Sequence, residues 1–129
     1  RLYGADMVLL LARLLHTDQL REYVQIASQY GMQSIVETHS EHEVERALTL
    51  PDVFIGINNR DLDTQCIDFS ITKRLAERIP LGRIIISESG IRSQQDVRTL
   101  PARVDGILVG TGILQAQNPT SFLASLRGE

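Results

Sequence analysis

The feature that most constrains the fold of this chain is a repeated alternation between short apolar runs and amphipathic segments. Each run is short enough for a buried strand, and the segment after it has apolar residues at helical spacing. Ser40 and Ser93 are start signals for two predicted helices, and Gly31 and Pro51 are stop signals. The predicted order is β-α-β-α-β-α-β-α-β with a short terminal helix at 119–126. The predicted strands are residues 7–11, 34–36, 53–57, 83–86 and 106–109.

This alternation predicts a parallel α/β fold, because parallel strands need long crossovers and are buried as near-continuous apolar runs. Such a sheet is expected to be covered on both faces or closed into a barrel. A closed (βα)8 barrel typically needs about 250 residues, whereas this chain has 129. The pattern therefore predicts one domain, 1–129, that forms part of a TIM barrel with about five βα units.

The composition excludes several classes of function. The formal net charge is −3, so the chain lacks the basic surface expected of a protein that binds nucleic acid or an anionic membrane. The apolar run 7–12 is far shorter than the roughly 20 residues of a membrane helix. Cys66 is the only cysteine, which excludes an internal disulfide and fits the cytoplasm. The histidines lack the spacing of metal ligands, so no metal is expected.

Polar residues cluster where the predicted strands end, most clearly in the stretch GINNRDL after the third strand. In parallel βα folds the loops at the carboxyl ends of the strands converge on the ligand site. Glu37 ends a buried strand and is a candidate general acid or base, although capping of the next helix or pairing with an arginine explains it equally well. Asn58 and Arg60 could bind a hydroxyl, carboxylate or phosphate, but turn chemistry also favours asparagine there.

The stretches SESG and VGTG follow the last two predicted strands. Small residues leave backbone N–H groups free to approach an anion, and a helix N-terminus adds partial positive charge. One such loop is weak evidence, but two in succession match the place where barrel enzymes bind phosphate. The pattern therefore predicts a phosphate site, with a short helix that begins near Thr111 or Gly112.

Five stretches together resemble the indole-3-glycerol phosphate synthase family of (βα)8 enzymes. They are YGADMVLLL, SIVETHSEHEVERAL, FIGINNRDLDTQCIDFSIT, IIISESGIRSQQDV and GILVGTGIL. The resemblance covers essentially the whole chain, and GINNRDL followed by SESGI is specific to the family. It implies that residues 1–129 correspond to the carboxyl-terminal part of the barrel, strands four to eight.

The resemblance also implies an activity and a set of site residues. The family closes the ring of 1-(2-carboxyphenylamino)-1-deoxyribulose 5-phosphate and then releases carbon dioxide and water, a lyase reaction of tryptophan biosynthesis that needs no cofactor. The substrate partner would be this small phosphorylated molecule. The implied catalytic residues are Glu37, Asn58, Arg60 and Glu88. The implied substrate-binding residues are Leu10, Leu62 and Ser89, and the implied phosphate-binding residues are Gly90, Gly110 and Thr111.

The chain also departs from the family pattern. The catalytic lysine of a Lys-Asp-Phe motif on strand three and a Glu-x-Lys segment nearer the start have no counterpart, and Lys73 is the only lysine. Thr111-Gly112 replaces the serine or Glu-Ser that is more usual. Without an ammonium group, general acid catalysis should fall by roughly 10²–10⁴. The isolated chain is therefore expected to be nearly inactive.

A partial barrel would expose the edges of its first and last strands. We therefore expect a homodimer or pairing with the missing barrel half, and flattening into an open sheet with helices on both faces is the alternative. Two other functions remain open. One is a non-catalytic phosphate-binding half-barrel or self-associating structural fragment. The other, which the set Glu37, Asn58 and Arg60 disfavours, is a different phosphate-binding barrel such as phosphoribosylanthranilate isomerase.

Overall fold

A computed structural model describes residues 3–129 of the chain. Within these residues, short strands alternate with helices, and two helices follow the last strand. The strands are β1 (Met7–Leu11), β2 (Gln33–Thr38), β3 (Val53–Asn58), β4 (Ile85–Glu88) and β5 (Gly106–Leu108). The helices are α1 (Thr17–Gln29), α2 (Glu41–Leu48), α3 (Ser70–Ala76), α4 (Gln94–Thr99), α5 (Thr111–Gln115) and α6 (Pro119–Arg127). No helix within residues 3–129 is long and apolar enough to cross a membrane.

The strands of the described region form one parallel sheet whose spatial order, β1-β2-β3-β4-β5, is also the order in the sequence. Crossovers between parallel strands are right-handed, so a sheet in which each strand follows its neighbour carries all its helices on one face. The hydrophobic core lies between that face and the helices. It includes Val36, Ile55 and Ile85 from the strands and Leu20 and Val44 from the helices. The architecture is that of a partial (βα)8 barrel.

The other face of the sheet carries no helix within residues 3–129. Leu9 of β1 and Leu108 of β5 point to this face and are 41% and 43% exposed, whereas Ile35 between them is 6% exposed. The described residues therefore form an open part of a barrel, and the alternative of an open sheet with helices on both faces is wrong for them. The sequential strand order is the reason, since it places every crossover on the same side.

Three strands continue beyond their predicted ends at the site, and β3 does so by one residue, to Asn58. β2 continues to Thr38, and β4 begins at Ile85 and continues to Glu88, so both strands extend into the polar residues that were predicted to follow them. Cross-strand pairing explains the extension, because Glu37 pairs with Gly56 and Glu88 pairs with Asn58. These polar residues are thus held rigidly by the sheet.

Ser40 and Ser93, the predicted start signals, are the N-cap residues of α2 and α4, but only Ser93 forms a complete capping box. Ser93 Oγ accepts the backbone N–H of Asp96, whose carboxylate accepts the N–H of Ser93, so the predicted capping box at α4 is confirmed. At α2, Ser40 Oγ accepts the N–H of Glu43, but the Glu43 carboxylate accepts the N–H of His39 at 2.7 Å. That different pairing draws His39 and Glu43 together beside the carboxyl end of β2.

Candidate active site

An open cavity of about 790 Å³ lies at the carboxyl ends of the strands, on the face of the sheet that carries no helix. Eight of the predicted site residues line it: Glu37, Asn58, Arg60, Glu88, Ser89, Gly90, Gly110 and Thr111. These residues come from the ends of β2, β3, β4 and β5, which are separated in sequence but adjacent in the sheet. The parallel topology thus brings the predicted polar groups to one rim.

Glu37 and Glu88 form a buried acidic pair in the floor of this cavity. Glu37 is 6% exposed and Glu88 is 2% exposed, and the strand β3 lies between the strands that carry them. Burial is the main cause that raises the pKa of Glu88, to about 8, and the negative charge of Glu37 and a hydrogen bond with it add to the effect. At neutral pH, Glu88 is therefore protonated.

His39 lies between the acidic pair and helix α2. Its Nε2 atom is 3.4 Å from Glu37 Oε1, and its Nδ1 atom is 3.5 Å from Glu43 Oε2. Burial opposes ionisation of Glu43, but hydrogen bonds from His39 and Ser40 outweigh it, so the pKa of Glu43 is lowered. We call Glu37, Glu88 and His39 the acid cluster.

The acid cluster contains polar atoms without partners. Within residues 3–129, Glu88 Oε1 and both ring nitrogens of His39 are buried and have no hydrogen bond of good geometry. Buried polar groups are normally hydrogen-bonded, and an unpaired one destabilises the fold by roughly 1–3 kcal/mol. Glu88 lines the cavity, so its unpaired Oε1 atom is available to a ligand.

The two asparagines of GINNRDL have different environments. Asn58 points to the cavity, and its Oδ1 atom accepts the backbone N–H of Arg60 at 2.9 Å, which fixes the turn that follows β3. The guanidinium of Arg60 forms no ion pair with any described residue, so its donors remain free to bind an anion in the cavity. A turn fixed by Asn58 thus adjoins an unpaired guanidinium at the cavity.

Asn59 points to the opposite, helix-covered side and is fully buried. Its Nδ2 atom donates to Ser87 Oγ at 3.0 Å and to the backbone oxygen of Glu88 at 2.9 Å, and its Oδ1 atom accepts from Thr72 Oγ1 at 2.6 Å. We call Asn59, Thr72 and Ser87 the amide cluster. This cluster ties β3, α3 and β4 together directly beneath the acidic pair. Sequence reasoning assigned none of its members a role.

The amide cluster also supports the SESG loop. Asn59 Nδ2 contacts the backbone oxygen of Ser89, at 3.3 Å, and Ser89 has a left-handed backbone conformation with φ of 65°. Gly90 follows with φ of 86°, and a Cβ added there would overlap Ile67 Cγ2 and lie 3.2 Å from Phe69 Cζ. The positive φ and this overlap both require glycine at position 90. The contact between Asn59 and Ser89 holds the loop close to the cavity.

The opposite wall of the cavity comes from the end of β5. Gly110 is the N-cap residue of α5, which begins at Thr111 as predicted, and a Cβ added to Gly110 would meet no atom within 4 Å. The backbone here is therefore open to the cavity. Arg92 and Gly112 also line it, although the sequence analysis gave them no site role. Arg92 follows SESGI directly in the sequence, and this position beside the loop is the sequence feature that could have predicted its place at the cavity.

Leu10 and Leu62 do not line the cavity, contrary to the predicted pocket. Leu10 is 7% exposed and packs in the hydrophobic core on the helix-covered face, whereas its neighbour Leu9 lines the cavity. Successive side chains of a strand point to opposite faces, so a shift of one residue explains the correction. Leu62 lies in the loop after β3 and is 37% exposed.

The site combines the elements of acid/base chemistry on an anionic molecule. A protonated carboxyl group at Glu88 can donate a proton, and the neighbouring Glu37 can accept one. Arg60 and the glycine-containing loops supply donors for negatively charged groups. No group of three or more metal-ligating side chains occurs within residues 3–129.

The fold is that of part of a (βα)8 barrel, with a polar cavity at the carboxyl ends of its strands. Solved structures agree on the fold. The crystal structure of KGPDC from Streptococcus mutans has a TM-score of 0.66 at 14% identity, and the match covers 98% of this chain and 63% of that one. A second is the native KDPGal structure, with a TM-score of 0.63, 16% identity and coverage of 93% and 56%.

The chain belongs to the indole-3-glycerol phosphate synthase family, whose model matches residues 1–126. The enzyme of that name from Leuconostoc mesenteroides is 42% identical over 127 residues, which are 98% of this chain and 48% of that protein. The one from Aquifex aeolicus is 41% identical over 129 residues, covering 98% of this chain and 50% of that protein. The chain thus spans about half the length of these relatives.

Proposed function

We propose that this chain supplies the acid/base and phosphate-binding part of an indole-3-glycerol phosphate synthase active site. One observation carries the proposal: the acidic pair of Glu37 and Glu88, the guanidinium of Arg60 and the loop at Gly110 line one cavity in a chain of this family. The substrate of such a site is 1-(2-carboxyphenylamino)-1-deoxyribulose 5-phosphate. The reaction closes its ring, releases carbon dioxide and eliminates water.

The acidic pair suits the last stage of this reaction. The hydroxyl group that leaves as water needs a proton, and the carboxyl group of Glu88 is protonated at neutral pH. The new five-membered ring loses a proton as it becomes aromatic, and Glu37 is the neighbouring group that can accept it. Asn58 would orient the substrate, and Arg60 would bind its carboxylate.

The glycine-containing rim of the cavity suits the phosphate end of the substrate. The backbone is open at Gly110, and the SESG loop presents Ser89 and Gly90 from the adjacent strand. Thr111 adds a hydroxyl group beside them. Backbone N–H groups that converge at the ends of two neighbouring strands form the usual phosphate site of parallel barrels.

The chain alone is proposed to be nearly inactive. Lys73, its only lysine, is exposed on α3 and does not line the cavity. No ammonium group is therefore available to bind the substrate or to protonate its ketone during ring closure. General acid catalysis of that step should be weaker by roughly 10²–10⁴.

Turnover measurements test the proposal directly. The chain should show almost no release of carbon dioxide from the substrate, and addition of a polypeptide that carries strands one to three of the Leuconostoc mesenteroides relative should restore turnover. Full activity of the chain alone would contradict the proposed division of labour. Failure of the added segment, when a stable complex of the two polypeptides is demonstrated, would contradict the proposed function.

Phosphate binding is tested separately by titration with inorganic phosphate, followed by NMR. Signals of Gly90, Gly110 and Thr111 should shift together, and Gly110→Asp should abolish the shifts because it adds a negative charge to the site. Ala116→Asp, which places the same charge at the end of α5, is the matched control. Shifts scattered over the helix-covered face would contradict a site at this rim.

A non-catalytic, self-associating half-barrel is the second candidate function. It is favoured by the exposed apolar residues Leu9 and Leu108 and by the unpaired edges of β1 and β5 within the described sheet. Pairing with a second copy, or with the amino-terminal half of a barrel, would cover both. Sedimentation distinguishes these states: a dimer without turnover in any mixture supports the second candidate, and a monomer at high concentration opposes it.

The cytoplasm is the proposed location. Cys66 is exposed and unbonded, which fits a reducing compartment.

A further inference from the structure

Gly56 lies in the middle of β3, the central strand of the described sheet, where glycine is an unexpected residue. A glycine inside a strand leaves no side chain to pack, and it has more conformational freedom to lose on folding. Its backbone pairs regularly with Glu37 on one side and Ile86 on the other, and it has no positive φ. Backbone conformation therefore does not explain the glycine.

The space above Gly56 explains it. A Cβ added to this residue would overlap Oε1 of Glu88 and lie 3.1 Å from Cδ of the same side chain. It would also lie 2.9 Å from Cγ2 of Ile35. The carboxyl group of Glu88 thus occupies the volume that the side chain of any other residue would fill.

The strand register shows why Glu88 needs this volume. Glu37 is at the level of Gly56, whereas Glu88 is two residues further along its strand, at the level of Asn58. The side chain of Glu88 must therefore bend back across β3 to reach Glu37. We propose that Gly56 is a positioning residue, whose missing side chain opens the path by which Glu88 meets Glu37.

This inference rests on the proposed function only for its catalytic consequence. The position of the Glu88 carboxyl group over Gly56, which pairs with Glu37, follows from the geometry alone, and its environment can be measured in a protein without turnover. If the proposed function holds, Gly56 is also what keeps the proton donor beside its partner. Gly56 itself touches no reacting atom in this account.

The test is the substitution Gly56→Ala, followed by titration of the Glu88 carboxyl carbon with ¹³C NMR. Wild-type Glu88 should titrate near its raised pKa of about 8, because it is buried beside Glu37. The added methyl group should displace Glu88 into the cavity and bring its midpoint down toward the ordinary value of 4.5. An unchanged midpoint in a folded variant would overturn the proposal.

Gly106→Ala is the matched control. Gly106 lies on the same face of the sheet, and a Cβ there would meet only the terminal methyl group of Ile86, at 2.9 Å. This variant adds the same atom to β5, two strands away from β3, without contact with a carboxyl group. The Glu88 midpoint should therefore stay where it is in the wild type.

A second substitution keeps the test decisive if Gly56→Ala does not fold. Glu88→Asp shortens the displaced side chain, so the double variant Gly56→Ala/Glu88→Asp should recover the thermal stability lost in the single variant. Ile35→Ala is the competing rescue, because Ile35 is the other side chain near the added methyl group. Recovery through Ile35→Ala alone would overturn the proposal, since it would assign Gly56 to apolar packing.

Turnover in the two-polypeptide mixture supplies the catalytic readout. Gly56→Ala should lower kcat with little change in KM, and Gly106→Ala should change neither. If wild-type mixtures that form a stable complex show no turnover, the proposed function fails, and the ¹³C titration still decides the role of Gly56.

Discussion

The amide cluster and the acid cluster lie on opposite sides of the same sheet, and they differ in how their polar groups are satisfied. In the amide cluster, the side chain of Asn59 donates to β4 and accepts from Thr72. In the acid cluster, Glu88 Oε1 and the ring nitrogens of His39 have no such partners among the described residues. A satisfied network stabilises a fold, whereas unpaired groups beside a cavity lower its stability and remain free for chemistry.

The contrast comes from adjacent residues. Asn58, the last residue of β3, and Asn59, which follows it, point to different sides of the sheet. Ser87 and Glu88 of β4 do the same, because successive side chains of a strand alternate. One residue of each pair therefore enters the cavity, and the other is buried under the helices. Substitutions in the acid cluster should therefore lower activity, whereas substitutions in the amide cluster should lower stability.

The largest expected effect is the loss of activity in Glu37→Gln. Turnover of the two-polypeptide mixture should fall by roughly 10³, because glutamine cannot accept a proton, while the free energy of unfolding stays the same or rises. Glu45→Gln, which changes an exposed glutamate on α2, is the control and should leave both quantities unchanged. Undiminished turnover in Glu37→Gln would remove the acid cluster from the mechanism.

Asn59→Ala should give the next largest effect, this time in stability. The substitution leaves Thr72 without its acceptor and removes the donor from the backbone oxygens of Glu88 and Ser89. We expect a loss of about 3 kcal/mol in the free energy of unfolding, measured by urea denaturation. Asn58→Ala, its neighbour, loses only the bond to the Arg60 N–H and should lose about 1 kcal/mol. Equal losses would show that the two asparagines do not differ as described.

The sequence predicts the order of the elements well, because each strand is a compact apolar run with a helix of clear periodicity after it. β1 has the predicted bounds, and α5 begins at Thr111 as expected. The rim at the carboxyl ends is also predictable, since parallel topology alone brings the strand ends together. These features depend on periodicity and chain direction, which a single sequence contains.

The direction in which each side chain points is not predictable in the same way. The run MVLLL is apolar at every position, so it gives no sign that Leu9 faces the cavity and Leu10 the core. The two asparagines of GINN are likewise identical in type, so the sequence does not reveal that Asn58 faces the cavity and Asn59 the helices. The contact between Glu88 and Glu37 depends on the register of three strands, and register is a property of the folded sheet.

Glu88→Gln should give a smaller, pH-dependent gain in stability. The folded protein keeps a proton on Glu88 that the unfolded chain has lost between pH 4.5 and about 8, so wild-type stability should fall as the pH rises through this range. Glutamine is neutral at every pH and resembles the protonated group. The variant should therefore be more stable than the wild type at pH 9, on the order of 2 kcal/mol, and similar to it near pH 4.

Urea unfolding at several pH values measures this gain, and Glu45→Gln is again the control because an exposed glutamate should give no pH-dependent difference. A constant difference between Glu88→Gln and the wild type at all pH values would contradict a raised pKa. It would also remove the assignment of Glu88 as protonated at neutral pH. The comparison between the clusters would then rest on hydrogen bonding alone.

Thr72→Val should have the smallest of these effects and is the most specific probe of the amide cluster. Valine keeps the shape of threonine but removes the hydroxyl group that donates to Asn59 Oδ1 at 2.6 Å and lies 3.1 Å from Ser87 Oγ. Asn59 keeps its other bonds, so the loss should be about 1 kcal/mol. Thr72→Ser keeps the hydroxyl and removes a methyl group, and it should keep the bond to Asn59. If Thr72→Val unfolds at the same urea concentration as the wild type, the bond to Asn59 contributes nothing, and the amide cluster stabilises the fold only through its bonds to β4.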